Sequence, residues 1–85
     1  MKAKLIIFPF DDGFQVVVWA AWTEGSIRTR SFDNRTEMIA LLENLRFIGP
    51  TEARELEGFP FLSSCPLFSA EIDEAILEAH GFQRA

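Results

Sequence analysis

The sequence is poor in the residues that build covalent or metal-based sites. It has one cysteine, Cys65, and one histidine, His80, among 85 residues. A single cysteine excludes an intramolecular disulfide and a zinc site built on several thiolates. A glycine-rich phosphate loop and the regularly spaced oxygen ligands of an EF-hand are also absent from the sequence. We therefore predict no cofactor and no metal ion.

Cys65 and His80 are the one conventional pairing of nucleophile and base that the chain offers. Such a pair needs hydrogen-bond contact and a third group that orients the imidazole. Cys65 stands in an apolar segment next to a proline, and His80 stands at the predicted end of a helix. A histidine there commonly interacts with the terminal carbonyls. Because no flanking motif supports catalysis, the sequence predicts a protein that is not an enzyme.

Long hydrophobic runs are also lacking near the start of the chain. The apolar run at residues 5–10 ends at Asp11 and is too short for a signal-peptide core or a membrane span. The chain carries 8 basic and 13 acidic side chains, for a net charge of −5. This charge disfavours non-specific binding to nucleic acid or anionic lipid. We expect a cytoplasmic protein that does not contact membranes.

Apolar residues, by contrast, are abundant for so short a chain. They make up 48% of the sequence, with nine Phe and two Trp, against 25% charged residues. We expect one domain, residues 1–85, which buries only about 60–65% of its unfolded surface. Part of the apolar supply then remains on the surface, where a large apolar patch marks a site for a partner.

The first third of the sequence predicts a three-stranded antiparallel β-meander. Residues 3–10, 14–22 and 26–32 read as strands, separated by "DDG" at 11–13 and "TEG" at 23–25. Both separators are turn sequences that end in a glycine able to adopt positive φ.

An amphipathic helix is predicted to follow the meander directly. Asn34 can cap it, and Glu37 stands three residues later, the spacing of a capping box. The apolar stripe then consists of Met38, Leu41, Leu42 and Leu45. We expect the helix to end at "FIGP", residues 47–50, because Gly49 suits a C-terminal cap and Pro50 cannot continue a helix.

The second half of the chain predicts an irregular segment and a C-terminal helix. Residues 51–58 suit one or two helical turns capped by Thr51, and residues 59–68 an irregular apolar loop or a short edge strand. Ser69 is predicted to cap the last helix, and Gly81 with Phe82 to close it in a Schellman motif. The apolar stripe of this helix is Ile72, Ala75, Ile76 and Ala79. The fold class is therefore α+β, in the order β-β-β-α-α.

The central strand is apolar on both faces, because every residue from 16 to 22 is apolar. Which residues of the adjacent strands share each face with it depends on the lengths of the two turns. With three-residue turns, one face carries Phe8, Phe10, Phe14, Val16, Val18, Trp22, Arg28 and Arg30, and the other carries Leu5, Ile7, Val17, Trp19 and Ile27. A two-residue turn before strand three would instead place the two arginines beside Trp19. One helix, about 10 Å across, covers only one face. The other face needs the 59–82 segment or a second molecule.

These observations predict a small non-catalytic interaction module. It would self-associate as a homodimer or bind a protein partner through an apolar sheet face. Tryptophan beside arginine is a common composition of binding hot spots. The predicted interface residues are Trp19 and Trp22, with Arg28 and Arg30 at the rim.

The alternative is a small nucleic-acid-associated regulator, antitoxin-like, that uses the arginine strip of strand three for stacking and phosphate contacts. The acidic total weighs against this alternative.

Overall fold

A computed structural model describes residues 2–9, 15–58 and 67–85 of the chain. The elements are, in order, β1 (Lys2–Pro9), β2 (Val16–Trp22), β3 (Ile27–Phe32), α1 (Arg35–Asn44), α2 (Pro50–Glu57), β4 (Leu67–Glu71), α3 (Glu74–Ala79) and β5 (Gln83–Arg84). The strands form one antiparallel sheet in the order β4-β1-β2-β3-β5. The predicted α+β class, with a three-strand meander followed by helices, is confirmed. The predictions for Phe10, Phe14 and Cys65 fall outside the described residues.

The turn between β2 and β3 has the predicted three-residue form. The backbone N–H of Trp22 donates to the carbonyl oxygen of Ser26 at 3.0 Å. Gly25 has φ of +109°, a conformation that side-chain-bearing residues rarely adopt. In this register Arg28 lies opposite Ala20. The two-residue turn that would bring the arginines beside Trp19 is therefore not the one that forms.

β1 pairs with β2 one residue away from the predicted register. Phe8 lies opposite Val17, and Ile7 lies opposite Val18. Because side chains alternate along a strand, a one-residue shift moves all of them to the other face. Leu5 and Ile7 therefore point toward the helices and are fully buried, and Phe8 points away from them. The predicted faces of β1 were wrong, because the branched aliphatic residues, and not Phe8, fill the space under the helices.

All three helices contribute to a single core on one side of the sheet. α1 supplies Met38, Ile39 and Leu42, and α3 supplies Leu77. The sheet contributes Ala3, Leu5, Ile7, Val16, Val18, Ala20, Trp22 and Phe32, and the rest of the core is Ile48, Ala53, Leu56, Ile72 and Phe82. Residues from β1, β2 and β3 that face the other way do not enter this core. The helices thus form one layer, on one face.

α1 begins as predicted and ends earlier than predicted. The side chain of Asn34 accepts a hydrogen bond from the N–H of Glu37 at 2.8 Å. At the other end the N–H of Phe47 donates to the carbonyl of Leu42, and Arg46 occupies the left-handed region with φ of +61°. This is a Schellman motif with arginine in the position that glycine usually takes.

The helix starts predicted at Thr51 and Ser69 were wrong. Gly49 precedes α2 as its N-cap, and Pro50 is its first residue, a position where the missing proline N–H costs nothing. Ser69 lies in β4, whose backbone pairs with β1. α3 therefore starts at Glu74, after Asp73, whose side chain accepts from the N–H of Ala75 at 2.9 Å.

The end of α3 matches its prediction, but its buried face does not. The N–H of Phe82 donates to the carbonyl of Leu77 at 3.0 Å, and Gly81 has φ of +84°. The predicted Schellman motif is thus confirmed, and it buries Phe82. Leu77 is the buried residue of α3, whereas Ile76, from the predicted stripe, is 44% exposed.

The two Schellman motifs give a matched test of backbone strain. Replacing Arg46 by glycine removes the left-handed strain of a side-chain-bearing residue, and we expect a gain of about 1 kcal/mol in the free energy of unfolding. Gly81→Ala introduces that strain at the equivalent position and should cost about 1 kcal/mol. The added Cβ meets only the Arg30 side chain, at 3.6 Å. Urea unfolding measures both changes, and a loss of stability in Arg46→Gly would contradict the assignment.

Candidate interaction surface

Half of the described strand residues that point to the face of the sheet opposite the helices are apolar. Within the described ranges, no helix or strand packs over this face. We call it the open face, and its apolar side chains are Ile6 and Phe8 of β1, Val17, Trp19 and Ala21 of β2, Ile27 of β3 and Leu67 of β4. Together they span four neighbouring strands.

A row of directly opposed residues crosses the open face at its centre. Ile6 pairs with Leu67 on one side and with Trp19 on the other. The row then continues through Thr29 of β3 to Gln83 of β5. Trp19 is 37% exposed and Leu67 is 55% exposed. Two large apolar side chains therefore remain accessible to water in this row.

Phe8 and Trp19 make an aromatic contact on the open face. Their ring centroids lie 5.7 Å apart and the ring planes cross at 68°, an edge-to-face arrangement that is favourable for aromatic pairs. Phe8 is itself 38% exposed. The contact fixes the orientation of two large rings whose outer surfaces still meet solvent.

Charged groups are few on the open face and lie at one end of it. Lys2 and Lys4 of β1 point to this face, and Glu71 of β4 lies opposite Lys2. Glu71 is the one acidic residue in the five described strands, whereas the other described acidic residues lie on helices, turns and connections. The acidic surface of the protein is therefore mainly elsewhere than the open face.

The four predicted interface residues do not lie together. Trp19 lies on the open face, but Trp22 is buried on the helix side, where its Nε1–H donates to the carbonyl of Ile72 at 3.2 Å. Arg28 and Arg30 also point to the helix side, because they pair with Ala20 and Val18 of β2. The side-chain alternation of β2 and β3 thus places Trp19 on one face of the sheet and the other three residues on the helix side.

Arg28 forms a buried ion-pair network in place of a rim contact. Its side chain is 8% exposed. Nε donates to the carboxylate of Glu74 at 2.8 Å, and the terminal nitrogens donate to the carboxylate of Glu78 and the carbonyl of Phe82. A guanidinium out of water needs such partners, because an unpaired buried charge is costly. The network joins β3 to α3 and to the residue that closes it.

Arg30 is also occupied by partners within the chain. One terminal nitrogen donates to the carbonyl of His80 at 2.8 Å, and the other lies 3.7 Å from the carboxylate of Glu37. The guanidinium stacks over the ring of Phe32 at 4.4 Å from its centroid. Since Arg28 and Arg30 are both paired with groups of the chain, the strip on β3 does not present two free cations.

Sequence reasoning missed part of the open face. Phe8 and Ile6 belong to it because of the register of β1, which the turn sequence "DDG" does not define. Leu67 belongs to it because residues 67–71 form an edge strand, and a run that contains Ser69 and Glu71 carries no strong strand signal. Trp19 could be predicted because the turn at Gly25 sets the register of β2 with β3, and this register decides on which face Trp19 lies.

One member of the Cys65–His80 pair lies in the described part of the chain. His80 is exposed at the end of α3, and Cys65 lies outside the described part of the chain. Within residues 2–9, 15–58 and 67–85, no cluster of three or more His, Cys, Asp or Glu side chains is arranged to hold a metal ion. In the same ranges, each buried polar side-chain atom has a hydrogen-bond partner. No helix among them has the length and apolar character required to cross a membrane.

Comparisons with models of known protein families, with curated proteins and with solved structures find no match to this chain. Its function is therefore inferred from the contacts and exposures given above.

The Arg28 network predicts an unequal response to the loss of its two acidic partners. Glu74→Ala removes the shorter contact and leaves a buried guanidinium short of charge compensation, so we expect a loss of about 2–4 kcal/mol in the free energy of unfolding. The side chain of Glu78 is 67% exposed, so Glu78→Ala should cost less than about 1 kcal/mol.

Arg28→Met is the control, since it removes the buried charge and leaves carboxylates that water can reach. We expect this variant to lose less stability than Glu74→Ala. Urea unfolding of the three variants compares them. Equal losses in Glu74→Ala and Glu78→Ala would contradict the importance of the buried contact.

Proposed function

We propose that this protein is a non-catalytic self-association module, in which the open face of one copy packs on the open face of a second copy. The observation that carries the proposal is the exposed apolar row through Leu67, Ile6 and Trp19 on a face that no described helix covers. Large apolar side chains left in water forgo roughly 1.5–3 kcal/mol each. Packing two such faces together recovers part of that free energy.

The distribution of charge favours a second copy as the occupant. With a net charge of −5, two copies repel each other when their acidic surfaces approach. The open face has Lys2, Lys4 and Glu71 as its charged strand residues, and these lie at one end of the sheet. Contact through this face keeps the acidic helices of the two copies on opposite outer surfaces.

The size of the open face is at the lower limit of what a stable interface needs. Each strand residue covers roughly 16 Å² of sheet plane, so the five described strands present about 450 Å² per copy. Two faces therefore contribute about 900 Å², close to the ~1,000 Å² expected of a specific interface. This figure leaves out the extra surface area of side chains that protrude from the sheet plane. A centrally placed tryptophan is the residue type that most often dominates such contacts.

The alternative of nucleic-acid binding through the arginine strip has less support. Arg28 is buried and paired with Glu74, and Arg30 is held by the carbonyl of His80. Phosphate contacts would require both guanidinium groups to leave these partners. We therefore place the binding surface on the open face and not on β3's arginines.

The proposal is tested by the molar mass of the protein in solution, measured by light scattering during size-exclusion chromatography. We expect the wild-type chain to exceed the mass of one copy, 9.7 kDa. Trp19→Glu places a charge at the centre of the open face and should lower the mass. A wild-type protein at 9.7 kDa would refute self-association.

Ile76→Glu is the matched control for this substitution. Ile76 is a large apolar residue with 44% exposure, similar to the 37% of Trp19, but it lies on α3 in the helix layer. The same charge introduced there should leave the molar mass unchanged. If both variants lower the mass equally, general surface hydrophobicity and not the open face drives association.

A further inference from the structure

A recess lies on the open face around Lys4. Its volume is about 280 Å³, and its lining includes Lys2, Lys4, Ala21, Thr23 and Ser69. Lys4 lies directly opposite Ala21 of β2. Because the methyl group of Ala21 is much shorter than the lysine side chains beside it, the floor of the recess lies below their level. The recess therefore has the shape that receives a large apolar side chain from another molecule.

Phe8 is an exposed ring on the same strand and the same face. It is 38% exposed, and its edge-to-face contact with Trp19 fixes its orientation. Phe8 and Lys4 lie two residues to either side of Ile6, which is opposite Trp19. The ring and the recess are therefore at equal distances, about 7 Å, from the row through Ile6 and Trp19.

A two-fold axis along this row brings the ring and the recess together. In a contact between identical surfaces, if one residue contacts a second, the second contacts the first in return. An axis that lies between two copies and runs across their strands turns one copy end over end. Phe8 of each copy then faces Lys4 and Ala21 of the other, and Trp19 faces Trp19.

An axis at this row also matches all the open-face residues of β2 and β3. In β2, Val17 then faces Ala21 of the other copy, and in β3, Ile27 faces Ser31. An axis at the Val17 row or the Ala21 row would give only one of the three open-face residues of β2 a facing residue in that strand. The twist of aligned sheets rotates the copies by about 30° and keeps the order of these pairs.

The charges of the open face favour the end-over-end orientation. An axis along the strands would instead bring the lysine ends of both copies together, and like charges brought together weaken an interface. With the axis across the strands, the lysines of the two copies lie at opposite ends. The stem of Lys4 then packs against the ring of Phe8, and its ammonium group reaches the rim, which suits both side chains.

We infer that two copies associate end over end through their open faces, with Phe8 of each copy inserted into the recess beside Lys4 and Ala21 of the other. The inference rests on the proposed self-association and adds the orientation of the partner and the residues that determine it. Each contact occurs twice about the axis, so one substitution changes two places in the dimer.

An exchange of side-chain size tests the insertion. Phe8→Ala removes the ring and Ala21→Phe fills the recess, so we expect each change alone to raise the dissociation constant of the dimer at least about tenfold. The double variant places a ring at position 21 against the space left at position 8, and it should recover most of that loss. Sedimentation equilibrium measures the constants, and urea unfolding checks that each variant is folded. Losses that add in the double variant would overturn the inference.

Cysteines on β3 test the orientation and leave the ring and the recess unchanged. In a Cys65→Ser background, Ser31→Cys and Ile27→Cys are prepared separately, mixed and allowed to exchange subunits. In the end-over-end dimer these two positions face each other at about 10 Å, whereas each lies about 17 Å from its own counterpart. A short bismaleimide should therefore give several-fold more covalent dimer in the mixture than with either variant alone.

The cross-linking result and the molar mass separate this inference from the proposed function. An associated protein whose mixture gives no more covalent dimer than either variant alone retains self-association and refutes the end-over-end orientation. A wild-type protein at the mass of one copy, 9.7 kDa, refutes both.

Discussion

The pairing of β1 with β2 is the constraint on which the rest of the structure depends. Side chains alternate along both strands, so the register that puts Ile7 opposite Val18 also decides what every other residue of β1 faces. Leu5 and Ile7 enter the core under the helices, and Phe8 is directed to the open face beside Trp19. β1 is also an inner strand, with β2 on one side and β4 on the other. The division into a covered face and an open face therefore follows from one register.

The C-terminal part of the chain is attached to this sheet by a polar anchor as well as by apolar packing. Arg28 is directed to the helix side by its position opposite Ala20, and its guanidinium is paired with Glu74 and lies next to the carbonyl of Phe82. Burial of a charge costs free energy that only well-placed partners offset. The pairing thus requires α3 and the end of the chain to lie over β3. Because these elements occupy the helix side, they are not available to cover the open face.

Those parts of the fold that depend on local signals could be predicted from the sequence, whereas the long-range pairings could not. The cap at Asn34, the turn at Gly25 and the closure at Gly81 each follow from one or two residues whose backbone requirements are specific. The register of β1 and the strand at 67–71 depend on contacts with distant residues, which no local pattern records. The apolar stretch of β2 predicted that both faces of the sheet carry apolar side chains that need to be shielded from water. It could not tell that Arg28 and Arg30 would pair with groups of the same chain.

Apolar and acidic side chains are distributed unevenly between the two sides of the sheet. A chain of 85 residues has limited capacity to bury its apolar side chains, and the three helices of the described residues all lie on one face of the sheet. The acidic residues of the helices oppose association through that layer, while the open face carries few charged strand residues. The proposed self-association through the open face would therefore bury apolar side chains that the single chain leaves in water and keep the acidic helices of the two copies apart.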